Sequence, residues 1–176
     1  MKTSFYTLVS AVFFIASGFM LATSTSWKID EKKYNVSFSA EEADGVIKGL
    51  KSTIVFDENN LEGSSFKASL DVNTINTGNG MKNKHAKAEK WLNAEKYPTI
   101  NFTSTHVSKA GNSYNAKGKL TVKGITKEIN LLFTFTKKGK TGIFKGSFTI
   151  KRQDYSITED GIGDNIKITI DVPVKQ

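Results

Sequence analysis

The chain has 176 residues, a formal net charge of +8, no cysteine, two prolines and fourteen glycines. That length defaults to one domain, and a hydrophobic fraction of 38% with 24% charged residues describes a globular chain, neither collagen-like nor wholly disordered. Without cysteine there is no disulfide framework, thiol nucleophile, CxxC redox pair or cysteine-held metal, and His85 and His106 alone do not suggest a histidine-rich metal site.

The first segment reads as an export signal. Lys2 precedes an apolar run from about Phe5 to Leu21, and Ala22-Thr23-Ser24 then offers small side chains where a signal peptidase inspects the chain. Ser10, Ser17 and Gly18 interrupt the run, which is short for a membrane span. Residues 1–24 are therefore expected to be a signal peptide cleaved near Ser24, and residues 25–176 the domain of a periplasmic or secreted protein. Cleavage removes one charged residue, Lys2, leaving +7, and takes four of the twelve phenylalanines.

The rest alternates with period two, the mark of strands with one buried face. In chain order the apolar phase runs through Val36-Phe38-Ala40, then Leu50, Ile54 and Phe56, then Phe66-Ala68-Leu70-Val72 and Ile100-Phe102. It continues through Tyr114-Ala116-Gly118-Leu120-Val122, Ile129-Leu131-Phe133-Phe135, Phe144-Gly146-Phe148-Ile150 and Ile166-Ile168-Ile170-Val172-Val174. Turn signals at 58–60, 109–112, 123–126 and 137–142 suit hairpins between antiparallel neighbours. One segment, Gly80–Ala94, has helical composition with Ala88, Trp91 and Leu92 on an apolar face, and is read as a short helix or helical loop. Eight such strands form either a sandwich or a closed barrel, and eight staves are wide enough to hold packed side chains or one small ligand. An exported domain without disulfides draws its stability from this sheet and its core.

Several ordered motifs carry a resemblance. Trp27-Lys28-Ile29-Asp30, Thr74-Ile75-Asn76-Thr77-Gly78, and His85 with Trp91-Leu92-Asn93 come first. The run Glu95–Thr105 (EKYPTINFTST), then Gly118–Lys127 (GKLTVKGITK), Arg152-Gln153-Asp154-Tyr155 and Gly163–Ile168 follow. Together, over residues 27–174, they resemble the YceI-like family, extracytoplasmic lipocalin-like barrels associated with polyisoprenoid binding. The resemblance implies an all-β fold: an eight-stranded antiparallel lipocalin-like β-barrel with one short helical segment near residues 80–94. The chain departs from the family pattern at Lys33-Tyr34, in place of a His-Ser pair, and at the acidic stretch Glu41-Glu42-Ala43-Asp44-Gly45. Asn76 replaces an aspartate and Ser156 a glycine.

The inward aromatic set, Phe38, Phe56, Phe66, Phe102, Tyr114, Phe133, Phe135, Phe144 and Phe148, is the candidate grip on an apolar chain, against the plain alternative that these rings fill the core. Arg152 continues the inward phase of Phe144-Phe148-Ile150, and reads either as a head-group contact or as a structural ion pair with Asp154 or Asp164. His85 reads as a hydrogen-bonded structural histidine and His106 as a residue near a strand end. The glycine-rich stretch 160–164 lacks the strand–helix setting of a phosphate loop. Lys82, Lys84, Lys87 and Lys90 give the helical segment a basic face that is either plain solvated surface or a contact for anionic membrane.

The function implied is non-catalytic carriage of an isoprenoid lipid, a polyprenyl phosphate or an isoprenoid quinone, in the barrel lumen. No cofactor, metal or nucleic acid is expected, and pairing of two barrels is left open. The alternatives are a packed structural barrel that meets the envelope through its basic face, and, more remotely, an enzyme using Arg152, His106 and Asp154.

Overall fold

The computed structural model describes residues 25–176, so the expected signal peptide lies outside the described residues. The strands are β1 (Ser26–Ile29), β2 (Asn35–Ala40), β3 (Ala43–Val46), β4 (Lys51–Val55), β5 (Ser65–Asp71), β6 (Thr99–Ala110), β7 (Ser113–Val122), β8 (Ile125–Lys138), β9 (Thr141–Lys151) and β10 (Asn165–Lys175). A single α-helix, α1 (Gly80–Lys87), and two 3-10 turns, Val72–Thr74 and Arg152–Tyr155, complete the described elements.

All pairings are antiparallel, and the sheet closes because β1 returns to β10. The ten strands make eight staves. β1 and β2 both pair with β10, through Ile29 opposite Val174 and Asn35 opposite Asp171, so they are two lengths of one stave. β3 and β4 form the next, with β3 on β2 and β4 on β1. The two breaks, at residues 30–34 and 47–50, are stitched together by Tyr34. Its hydroxyl accepts a hydrogen bond from the Leu50 amide at 3.1 Å, and the Lys48 ammonium sits 5.3 Å from its ring. The departure from the family pattern at Tyr34 thus has a structural task. β1 and β3 escaped the sequence pattern because four residues are too few to display an alternation.

The long strands follow the expected phase. Lys123 and Gly124, at φ 48° and 76°, form the two-residue turn between β7 and β8, the double positive φ that matches the twist of a hairpin. β6 is much longer than the short strand expected around Ile100-Phe102. A bulge between Ser104 and His106 places an extra residue opposite β7, which reverses the inward phase from Phe102 to Val107 and hides the alternation. His106 consequently lies within the strand, exposed on its outer side, instead of near its end.

The β2–β3, β5–β6, β7–β8 and β9–β10 connections lie at one end of the barrel, the mouth, and the β4–β5, β6–β7 and β8–β9 turns at the other, the floor. The floor is filled with aromatic rings. Phe56, 1% exposed, meets Phe66, Tyr114, Phe133, Phe135 and Phe144 at centroid distances of 5.1–5.9 Å. Trp27 closes the end, edge-on to Phe135 at 5.0 Å, its indole N–H donating to the Phe56 carbonyl at 2.9 Å. A second cluster, Leu120, Val122, Tyr155 and Ile157 with Trp91 and Leu92 against it, lies toward the mouth.

Candidate functional site

Above the floor the lumen is hollow. An outer chamber of about 350 Å³ lies at the mouth and an inner one of about 130 Å³ lies deeper. Both are lined by Val36, Leu70, Ile100, Phe148 and Ile168, so they abut at one level of the barrel. The outer volume falls within the roughly 300–1,000 Å³ typical of small-molecule sites. Aliphatic side chains dominate its wall: Ile47, Ile75, Leu120, Val122, Ile150, Ile157, Ile162 and Ile166, with Trp91 and Leu92 from the segment after α1.

Polar side chains gather at the rim; deeper in, only Ser37 in the outer chamber and Ser52 and Lys67 in the inner one join the lining. Lys82 and His85 from α1, Thr77 before it, Glu42 from the β2–β3 turn and Asp160 from the β9–β10 connection all line the outer chamber. Asn79 starts α1 by accepting from the Met81 and Lys82 amides at 2.9 and 3.1 Å. Asn83 anchors it, accepting from the Thr77 amide at 2.7 Å and hydroxyl at 2.8 Å. The helix stops at Lys87, short of the expected 94, because the chain then turns to carry Trp91 and Leu92 over the chamber and Ala94 into the interior. This geometry also sends His85 to the rim as an exposed residue, contrary to the expected hydrogen-bonded structural histidine.

Lysines tie α1 and this following segment to the neighbouring lips. Lys82 Nζ donates to the Glu42 carbonyl at 2.7 Å, and Lys90 Nζ lies 3.5 Å from a Glu159 carboxylate oxygen. Lys123 Nζ donates to the carbonyls of Lys90 and Ser156 at 3.1 and 3.0 Å. The third lip, residues 157–164, is held from beneath by Arg152. This guanidinium, 5% exposed as a residue, donates to the Ile157 and Glu159 carbonyls at 2.9 and 2.7 Å and pairs with Asp164 at 3.0 Å. Its Nε is buried without a partner. Of the two carboxylates weighed for Arg152, Asp164 is the partner, and the arginine lines neither chamber.

Two replaced family residues sit in the same framework. Ser156 adopts φ 52°, the left-handed region that favours glycine, and turns the chain from the 3-10 segment into the lip. Asn76 accepts from the Gly78 amide at 2.9 Å, so the step before α1 keeps its hydrogen bond.

The expected aromatic grip divides by level. Phe38 lines the outer chamber, Phe148 both, and Phe66, Phe102, Phe133 and Phe144 the inner one. Phe38, Ile168 and Phe148 stand directly opposite one another across β2, β10 and β9, and Gly45 leaves room for the Phe38 ring. Phe56, Tyr114 and Phe135 line neither chamber and belong to the packed floor. At that end Tyr114 donates to Glu58 Oε1 at 2.7 Å; burial, followed by this carboxylate, raises its pKa. The aliphatic wall was missed as a site. Its signal lies in the inward phase of Leu120, Ile150, Ile166 and Ile168, which shares its face with the aromatic set.

Comparison with known proteins agrees with this architecture. The model of the YceI-like domain family matches residues 27–174. Protein YceI of Salmonella newport (strain SL254) is 29% identical over 168 residues, covering 88% of this chain and 86% of its own. The crystal structure of Burkholderia cenocepacia BcnA superposes with a TM-score of 0.80 at 26% identity, covering 83% of this chain and 99% of that one. A polyisoprenoid binding domain from Saccharophagus degradans, implicated in plant cell wall breakdown, shares the fold at a TM-score of 0.65 and 13% identity, over 85% of this chain and 97% of its own. With its closed eight-staved barrel, its helix at the mouth and a family match running almost from β1 to the end of β10, this chain belongs to the YceI-like domain family.

Proposed function

We propose that this protein is a non-catalytic carrier that encloses a long apolar isoprenoid lipid in its lumen, outside the cytoplasm. The observation that carries the reading is the pair of abutting apolar chambers beneath a polar rim. The fold shared with a polyisoprenoid binding domain supports it. Burial of hydrocarbon is worth roughly 25 cal/mol per Å², so such walls hold a chain without polar contacts along its length. The tail occupies the chambers and the head remains at the rim.

The rim favours an uncharged head, of the quinone or alcohol kind, over a phosphate. Glu42 and Asp160 line it against the single ammonium of Lys82, which already donates to a carbonyl. The chain's only arginine, Arg152, is engaged within the lip. A phosphate would face two carboxylates with little compensating charge. The packed-barrel alternative calls for a filled lumen, and the chambers weigh against it. The enzymatic alternative needs a reactive group facing the ligand, whereas Arg152, His106 and Asp154 line neither chamber.

A water-insoluble ligand must be collected from a lipid surface, so peripheral membrane contact belongs to the same proposal, as does export after cleavage near Ser24. Solvent extraction of the purified protein, followed by mass spectrometry, tests the central reading. Recovery of an isoprenoid, or saturable uptake of an added polyprenol or isoprenoid quinone, is the expected result. A protein that is empty and ignores both ligands refutes it.

A further inference from the structure

The helix at the mouth has two faces with different tasks. Lys82, His85 and Ala86 face the outer chamber. At 100° per residue, Lys84 and Lys87 project from the opposite side, with Met81 at its flank. Met81 is 69% exposed, an unusual place for a large apolar side chain at the rim of an apolar lumen. Neither Lys84 nor Lys87 forms an ion pair among the described residues, whereas Lys82 and Lys90 are engaged with the other lips. The lips across the mouth are acidic, with Glu41, Glu42 and Asp44 in or beside the β2–β3 turn and Asp160 in the β9–β10 connection.

We infer that the outer face of α1 is the docking surface for an anionic lipid bilayer. Lys84 and Lys87 meet the head groups, Met81 enters the interface, and the acidic lips tilt away from the surface. The inference deepens the carrier reading, on which it rests: docking in this pose sets the mouth beside the bilayer from which an apolar ligand is taken. Charge complementarity selects the occupant. A basic pair with an apolar neighbour suits anionic head groups over acyl chains, and each basic residue held near such a surface strengthens binding by roughly fivefold.

The test is co-sedimentation of the full protein with vesicles of phosphatidylcholine, with and without phosphatidylglycerol, at low salt. The protein is expected to bind the anionic vesicles and not the neutral ones. The double variant K84Q/K87Q, altered at one exposed and one half-buried position away from the chamber, should lose roughly 30-fold in partition. K138Q/K140Q, at the floor end, carries the same charge change and should bind as the parent does. Equal loss in both variants, equal binding of K84Q/K87Q and parent, or no preference for the anionic vesicles overturns the inference. Lipid content measured on the same samples separates this from the carrier reading. A loaded protein that ignores vesicles rejects only the docking surface. One that docks through α1 but never takes up an isoprenoid rejects only the carrier.

Discussion

At the floor, rings and branched chains meet one another, and Gly142 leaves room for the Phe135 ring; at the mouth, residues on the same strands face open space. β9 displays both ends: Phe144 stacks on Phe135 at 4.4 Å, while Ile150, six residues on, lines the outer chamber. The difference comes from what fills each level. Phe56 supplies a ring at the barrel axis that five others pack around. At the mouth, α1 and the following segment rest on the rim, and only Trp91 and Leu92 of their larger apolar side chains line the chamber. One end therefore provides stability and the other provides room.

Substitutions break this contrast most sharply at the axis of the floor. Phe56→Ala should destabilise the protein by about 3–5 kcal/mol, since it removes a buried ring and leaves a cavity among rings that cannot collapse. Ile166→Ala, on the chamber wall, should cost about 1 kcal/mol, because its methyl groups are only half buried. Denaturant unfolding of the two variants measures the difference; equal losses would mean that the ends are packed alike. Next in size, Arg152→Met leaves the Ile157 and Glu159 carbonyls without their donor and should cost about 1–3 kcal/mol. Proteolysis should then become faster within residues 157–164, with the floor strands unaffected.

Ile168→Trp separates room from stability. Ile168 lines both chambers, so the larger ring fills empty space and should change stability by about 1 kcal/mol or less, while uptake of a long isoprenoid falls at least tenfold in a binding titration. Unchanged uptake would mean that the inner chamber is not used.

The smallest effect is expected at Tyr155. It is 1% exposed, its hydroxyl is buried without a partner, and burial together with Asp154 pushes its pKa up to about 12. Tyr155→Phe should be neutral or stabilising by about 1 kcal/mol, since it removes an unsatisfied polar group and keeps the ring. The sign of the pH dependence follows from proton uptake. Above the ordinary tyrosine value near 10 the unfolded chain has lost its proton while the folded one retains it, so stability falls as pH rises toward 12. The phenylalanine variant should show a shallower fall, with the remaining slope from Tyr114, whose pKa is also raised. Identical alkaline profiles for variant and parent would contradict this account of Tyr155.

The same contrast explains what could be read from the residues alone. Period-two alternation reports which face a side chain takes, and it placed Phe56 and Phe148 correctly on the inside. It does not report the level along the barrel. That level depends on register, which puts Phe56 at the floor and Phe148 beside both chambers. The Thr105 bulge and the two broken staves interrupt the period, so β6 read too short and β1 and β3 were silent. The rim was the least legible part. His85, Glu42 and Asp160 converge only after three connections far apart in sequence fold over one end.

The two tryptophans sit one at each end, which makes the contrast directly measurable. Trp91 lines the outer chamber, and Trp27 closes the floor. Titration of single-tryptophan variants, Trp27→Phe and Trp91→Phe, with an uncharged polyprenol should give a saturable blue shift in Trp91 emission as the ligand displaces water, with Trp27 emission unchanged. A silent Trp91, or equal responses from both indoles, would contradict a carrier whose hollow end binds the ligand and whose solid end does not.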